Sequence, residues 1–162
     1  MLRVFPLISL ATMVLACHPT PIAVRRWVGC YELTRGQWIR DSLQPRVQIV
    51  LPDTIALRGR TAVLHSDTSG YQLEPQIFDP ARRGAGSGWQ VMNDTVQLTW
   101  TDGFSGVWLW FSVADSGFAG RAEYFTDVQR TELRPDGSSH TVPWPTASVR
   151  LRSIRCGSFA AA

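Results

Sequence analysis

Between Asn93 and Asp127 the chain has few folding options, because two turn signals cut an alternating apolar–polar stretch into three consecutive strands. Asp102-Gly103 is a strong hairpin signal and is expected to pair Trp100 with Ser105, Leu98 with Val107 and Val96 with Leu109. Asp115-Ser116 is expected to pair Val113 with Phe118, Phe111 with Gly120, Leu109 with Ala122 and Val107 with Tyr124. Both turns independently put Val96, Leu98, Trp100, Val107, Leu109 and Phe111 on one face, which must then be the core. Large residues face small ones across the second pair, as close packing requires.

The rest of the chain is punctuated in the same manner. Short alternating runs at 26–34, 45–51, 54–58, 61–66, 70–78, 88–92, 94–101, 104–113, 118–127 and 147–156 are separated by Gly, Pro, Asp and Asn, and no window carries a helical repeat. The long loops fall at 35–44, 79–87 and 134–146. This pattern predicts an all-β domain: a small antiparallel up-and-down barrel of about 8–10 strands, with a β-sandwich as the alternative.

The first residues have a different character. Met1-Leu2-Arg3 precedes an apolar run from Val4 to Ala16, and at 13 residues that run is shorter than the ~20 a membrane-spanning helix needs. Val14-Leu15-Ala16-Cys17 resembles the lipobox of bacterial lipoprotein signals, which implies cleavage before Cys17 and lipidation of its thiol and amine. The alternative is ordinary cleavage after Ala16, leaving Cys17 free. The reading divides the chain into a signal peptide (1–16), a lipidated tether (17–25), one barrel domain (26–157) and a tail (158–162). His18 rather than Asp follows the cysteine, which by resemblance to Gram-negative sorting implies the periplasmic face of the outer membrane. The eight residues His18 to Arg25, stiffened by Pro19 and Pro21, reach at most roughly 25–28 Å.

Export also decides how the other cysteines are read. With Cys17 lipidated, Cys30 and Cys156 remain in a compartment that permits disulfides. Both carry the outward parity of the first and last strands, opposite to Trp27, Tyr31, Val149 and Leu151. A bond between them would staple the seam at which a barrel closes; the alternative is two unpaired thiols.

Charge excludes one partner class. All 16 basic residues are arginine, and dropping Arg3 leaves 15 of them against 13 acids, a formal charge of +2 spread along the chain. A nucleic-acid binder concentrates its cations in a stripe, so no nucleic-acid partner is expected.

The strand register leaves two groups of aromatics to explain. Trp27, Tyr31, Trp100, Phe111 and Tyr124 all face inward, where they either line a pocket for a small apolar or lipid-like ligand or simply fill the core. Trp108 and Trp110 face outward with Arg121 opposite Trp110, an arrangement suited to a cation–π contact. They form a patch for a partner protein or the membrane, or lie beneath a loop such as 134–146.

Trp27-Val28-Gly29-Cys30-Tyr31-Glu32-Leu33, the up-and-down meander and the terminal seam resemble the lipocalin-type (calycin) barrels, with the Gly-x-Trp order of that family reversed. Bacterial members include lipid-anchored outer-membrane proteins, so the resemblance implies a ligand held in the barrel mouth. The alternative is a non-catalytic interaction or assembly lipoprotein working through its outer wall.

No reaction chemistry is legible. Gly103-Phe104-Ser105-Gly106 lacks the pattern and the following helix of a nucleophile elbow. His18, His65 and His140 are scattered without ligand spacing, and Glu123 and Asp127 share an outward strand face. Neither an enzyme nor a cofactor or metal site is expected.

Overall fold

The computed structural model describes residues 22–39, 50–65, 68–78, 85–115, 117–127 and 131–158. Its elements in chain order are α1 (Ile22–Arg25), β1 (Gly29–Arg35), β2 (Thr54–His65), β3 (Thr68–Glu74), β4 (Ala85–Met92), β5 (Thr95–Asp102), β6 (Ser105–Ala114), β7 (Gly117–Thr126), β8 (Thr131–Leu133), β9 (Ser139–Thr141) and β10 (Thr146–Ile154). Eight strands close a barrel in the order β1-β10-β7-β6-β5-β4-β3-β2, while β8 and β9 form a separate two-stranded ribbon. All pairs are antiparallel. The domain is the expected all-β barrel, and the sandwich alternative falls away.

Closure depends on β1 pairing with β10 from Cys30↔Ile154 to Arg35↔Val149. The Cys30–Cys156 disulfide stands at the end of that seam, with Cα atoms 5.1 Å apart. Cys156 lies in a short 3-10 turn, Cys156–Ser158, rather than in the last strand, which ends at Ile154. Cys30 is buried although its parity is outward, and it sits beside Ala56, equally buried, on β2.

The β6–β7 hairpin has the register that its turn dictates: Val113↔Phe118, Phe111↔Gly120, Leu109↔Ala122 and Val107↔Tyr124. The β5–β6 hairpin does not. Trp100 pairs with Val107, Leu98 with Leu109 and Val96 with Phe111, a slip of two residues from the expected register. The cause lies in the side chains of a longer loop. The Asp102 carboxylate accepts from the backbone N–H groups of Phe104 and Ser105, and the Thr101 hydroxyl accepts from that of Gly103. Because a strand repeats every two residues, a slip of two keeps every side chain on its face. The core residues were therefore legible even though the pairing was not.

Other boundaries moved for local reasons. The run expected to start a strand at 26 opens with the turn that follows α1, and β1 begins only at Gly29. The stretches 54–58 and 61–66 join as one strand, β2, whose register against β3 shifts between Leu57 and Thr61. Arg58, Gly59 and Arg60 occupy that bulge, where the Arg58 guanidinium grips the Glu74 carboxylate at 2.7 and 2.9 Å. The run 70–78 stops at Glu74 because Pro75 has no N–H to offer the ladder. The loop 79–87 gives up Ala85, Gly86 and Ser87 to β4, and the loop 134–146 contains β9. The expected strand 45–51 lies almost wholly outside the described residues.

Inside the barrel, Trp27, Ile55, Leu57, Leu73, Trp89, Val96, Leu98, Trp100, Leu109 and Phe111 have no exposed surface. Burying each such side chain contributes about 1.5–3 kcal/mol, the largest single source of stability here. One end is plugged by α1 and the turn after it. Val24 and Trp27 enter the core, the Trp27 and Phe118 rings pack 4.4 Å apart, and Arg26 reaches Asp94 of the β4–β5 turn at 3.4 Å.

Candidate functional site

The five inward aromatics do not converge on one pocket. Trp27 lies below the start of β1, whereas Tyr124 and Trp100 lie toward the other end, beside the end of β7 and the β5–β6 turn. Trp27, Trp100 and Phe111 have no exposed surface and Tyr31 almost none; only Tyr124 is half-buried. A side chain that no water-sized sphere can touch borders no void, so the first three line no open cavity. Their polar atoms are turned to structural use as well. The Trp100 indole N–H donates to the Pro75 carbonyl at 2.9 Å, and the Tyr31 hydroxyl donates to the Trp27 carbonyl at 2.8 Å. Burial pushes the Tyr31 phenol above its ordinary value of 10.0, keeping it neutral.

Half-buried apolar side chains gather at the end away from α1. Trp38, which follows β1, and Ile77 and Phe78, which follow β3, pack with Tyr124 against the core without being sealed by it. The Trp38 indole N–H is buried and has no acceptor among the described residues.

The outer wall of β5, β6 and β7 presents a different surface. Cross-strand pairing sets Thr99, Trp108 and Glu123 in one row and Gln97, Trp110 and Arg121 in the next. Trp108 and Trp110 meet edge to face at 5.9 Å, and the Arg121 guanidinium lies 5.0 Å over the Trp110 ring. Arg121 also reaches the Glu123 carboxylate at 3.6 Å. The two tryptophans are half-buried, since each keeps part of its ring open to solvent. On the neighbouring strand Gln90 donates to Gln97 at 2.6 Å, extending the wall with amides.

One member of this wall escaped the sequence. Phe125 stacks on Trp108 with centroids 4.0 Å apart and planes 18° from parallel. Its signal was present: in the actual register Phe125 stands opposite Gly106, whose missing side chain leaves room for the ring. Phe118, packed on Trp27 and Tyr31, was likewise not singled out as an interior partner.

The remaining candidates fall as follows. Ser105 caps its turn through the Asp102 carboxylate. Glu123 is half-buried against Arg121, and Asp127 is exposed at the end of β7. His140 stands opposite Glu132 on the β8–β9 ribbon. Cys17 and His18 lie outside the described residues, as does any account of the His65 side chain. Among the described residues no three His, Cys, Asp or Glu side chains are grouped to hold a metal ion. A groove of about 430 Å³ runs along the outer face of β1 and β10, where Arg150 and the Glu32–Arg152 pair border it.

An eight-stranded barrel is consistent with a lipocalin-like fold. Comparison with protein-family models, with curated proteins and with solved structures finds no match.

Proposed function

We propose that the chain is an envelope lipoprotein, anchored at Cys17, whose packed barrel serves as a rigid module that binds a partner protein through the outer wall of β5–β7. One contrast carries this reading. The interior aromatics Trp27, Trp100 and Phe111 are spent on packing, whereas Trp108 and Trp110 keep open surface outside. Trp and Arg are the side chains that dominate protein–protein contact energies, and here they stand at the centre of a polar, amide-rich rim. The wall is also stiff. Trp108 is clamped by Phe125, and Trp110 by Arg121, so little side-chain entropy remains to be lost on docking.

The test uses the full-length protein in its own membrane, with a photo-crosslinking residue in place of Gln97 on the wall or of Thr54 on the opposite side of the barrel. A discrete crosslinked species from position 97, absent from position 54 and lost in the Trp108→Ser/Trp110→Ser variant, supports the reading. Equal crosslinking from both positions, or none from 97, removes it.

A carrier function keeps one supporting observation, the half-buried Trp38, Ile77, Phe78 and Tyr124 at the end away from α1. Native mass spectrometry of the gently purified domain decides between the two. A reproducible adduct that leaves on organic extraction favours a ligand at that end, and a clean apo mass favours the rigid module.

A further inference from the structure

We propose that the α1 end of the barrel is seated on the phospholipid surface, and that it makes interfacial contact through Val28, Met92 and Val113 with the arginines beside them. The inference rests on anchoring at Cys17. It assigns which end meets the bilayer and by what chemistry, neither of which anchoring alone decides.

Chain length supplies the first argument. α1 starts at Ile22, and the five peptide steps from Cys17 to Ile22 reach at most about 18 Å. That is much shorter than the tether expected from the sequence, because Ile22 to Arg25 belong to the domain and Val24 is buried in its core. α1 is itself fixed to one end of the barrel through the Trp27–Phe118 packing and the Arg26–Asp94 pair. A lipid at Cys17 therefore holds this end, and no other, against the headgroups.

What that end displays supplies the second. Val28, just before β1, is 42% exposed; Met92, at the β4–β5 turn, is 50% exposed; and Val113, at the β6–β7 turn, is 67% exposed. The three residues belong to separate elements around one rim. Large apolar side chains on strand ends partition into the headgroup region, and arginine stems beside them extend to phosphate. Arg25 in α1, Arg26, which holds Asp94, and Arg155 after β10 are exposed on the same rim. The opposite rim also exposes apolar residues, Ile39, Val50 and Phe104, but it lies a full strand length from α1. With the barrel seated on its α1 end, the Trp108–Trp110 wall faces sideways, parallel to the membrane, where a partner in the envelope meets it.

The test places an environment-sensitive fluorophore on the full-length lipidated protein at Val113→Cys, at Met92→Cys and, as the far-end reference, at Phe104→Cys. The protein is reconstituted in vesicles of phosphatidylethanolamine and phosphatidylglycerol that carry a shallow spin-labelled lipid quencher. Quenching several-fold stronger at 92 and 113 than at 104 is the expected result. Equal or weaker quenching at 92 and 113, in protein whose mass shows the acylated Cys17, overturns the seat and leaves the anchor standing. A mass without acyl chains overturns the anchor, and the seat with it.

Discussion

The Phe125 ring lies flat against Trp108 and over Gly106, the residue directly across the ladder from it. A Cβ at Gly106 would stand 2.7–2.9 Å from the Phe125 ring edge and closer still to the Trp100 carbonyl oxygen. Gly106→Ala must therefore dislodge Phe125 from Trp108 or part β6 from β5, at a cost of about 1–3 kcal/mol. Urea unfolding reads this directly. Gly157→Ala, in open space in the turn after β10 and without a left-handed backbone, should be close to neutral. Equal midpoints for the two variants would show that Gly106 is not the ring's seat.

The Cys30–Cys156 bond links residues 126 apart in the chain. On the chain-entropy account, closing a loop of that size is worth up to about 5 kcal/mol. The Cys30→Ala/Cys156→Ala variant should unfold at markedly lower denaturant while keeping its β signal in circular dichroism, because the β1–β10 ladder survives without the bond. A midpoint unchanged by the substitution, or by reductant on the wild type, would leave the disulfide no part in holding the seam.

Tyr31 predicts an alkaline dependence with a definite sign. Burial raises its folded pKa above the 10.0 of the unfolded chain. Between those two values the unfolded state holds fewer protons, so stability is whole below pH 10 and falls as pH rises through the folded pKa. Tyr31→Phe removes that component, and the difference in unfolding midpoint between wild type and variant should narrow above pH 10. A constant difference from pH 8 to 11 contradicts the assignment.

Two buried tryptophans should respond differently to the same substitution. The Trp89 indole N–H is shared between the Arg58 and Gln72 carbonyls, each at 3.1 Å, whereas that of Trp27 finds no acceptor among the described residues. Replacement by Phe leaves similar voids, but at position 89 it also strands carbonyls in the wall. Trp89→Phe should be the more destabilising by roughly 1 kcal/mol or more. The reverse order in chemical denaturation would mean that packing, not hydrogen bonding, separates the two sites.

What the sequence determined by itself is what the two-residue repeat of a strand encodes. The inward set of Val96, Leu98, Trp100, Val107, Leu109 and Phe111, the outward set of Trp108, Trp110 and Arg121, and the pairing set by the short β6–β7 turn are all local properties of alternation and turn chemistry. The Cys30–Cys156 pairing was expected as well, although Cys156 lies past the end of β10, where strand parity no longer applies.

Tertiary structure decided whatever depends on residues far apart in the chain. The β5–β6 register is the exception, missed for a local reason: the Asp102 and Thr101 side chains bond backbone N–H groups two and three residues on and lengthen a loop that the Asp-Gly dipeptide alone would have kept short. Glu74 across the sheet held Arg58 in a bulge and made one strand of two. Trp27 became the plug of one barrel end rather than part of the first strand, because Phe118 of β7 waits there to receive it. Whether an inward aromatic lines a cavity or fills a core is a question about the side chains facing it from the other strands. Alternation tells which way a ring points, and only the assembled wall opposite tells how much room it finds.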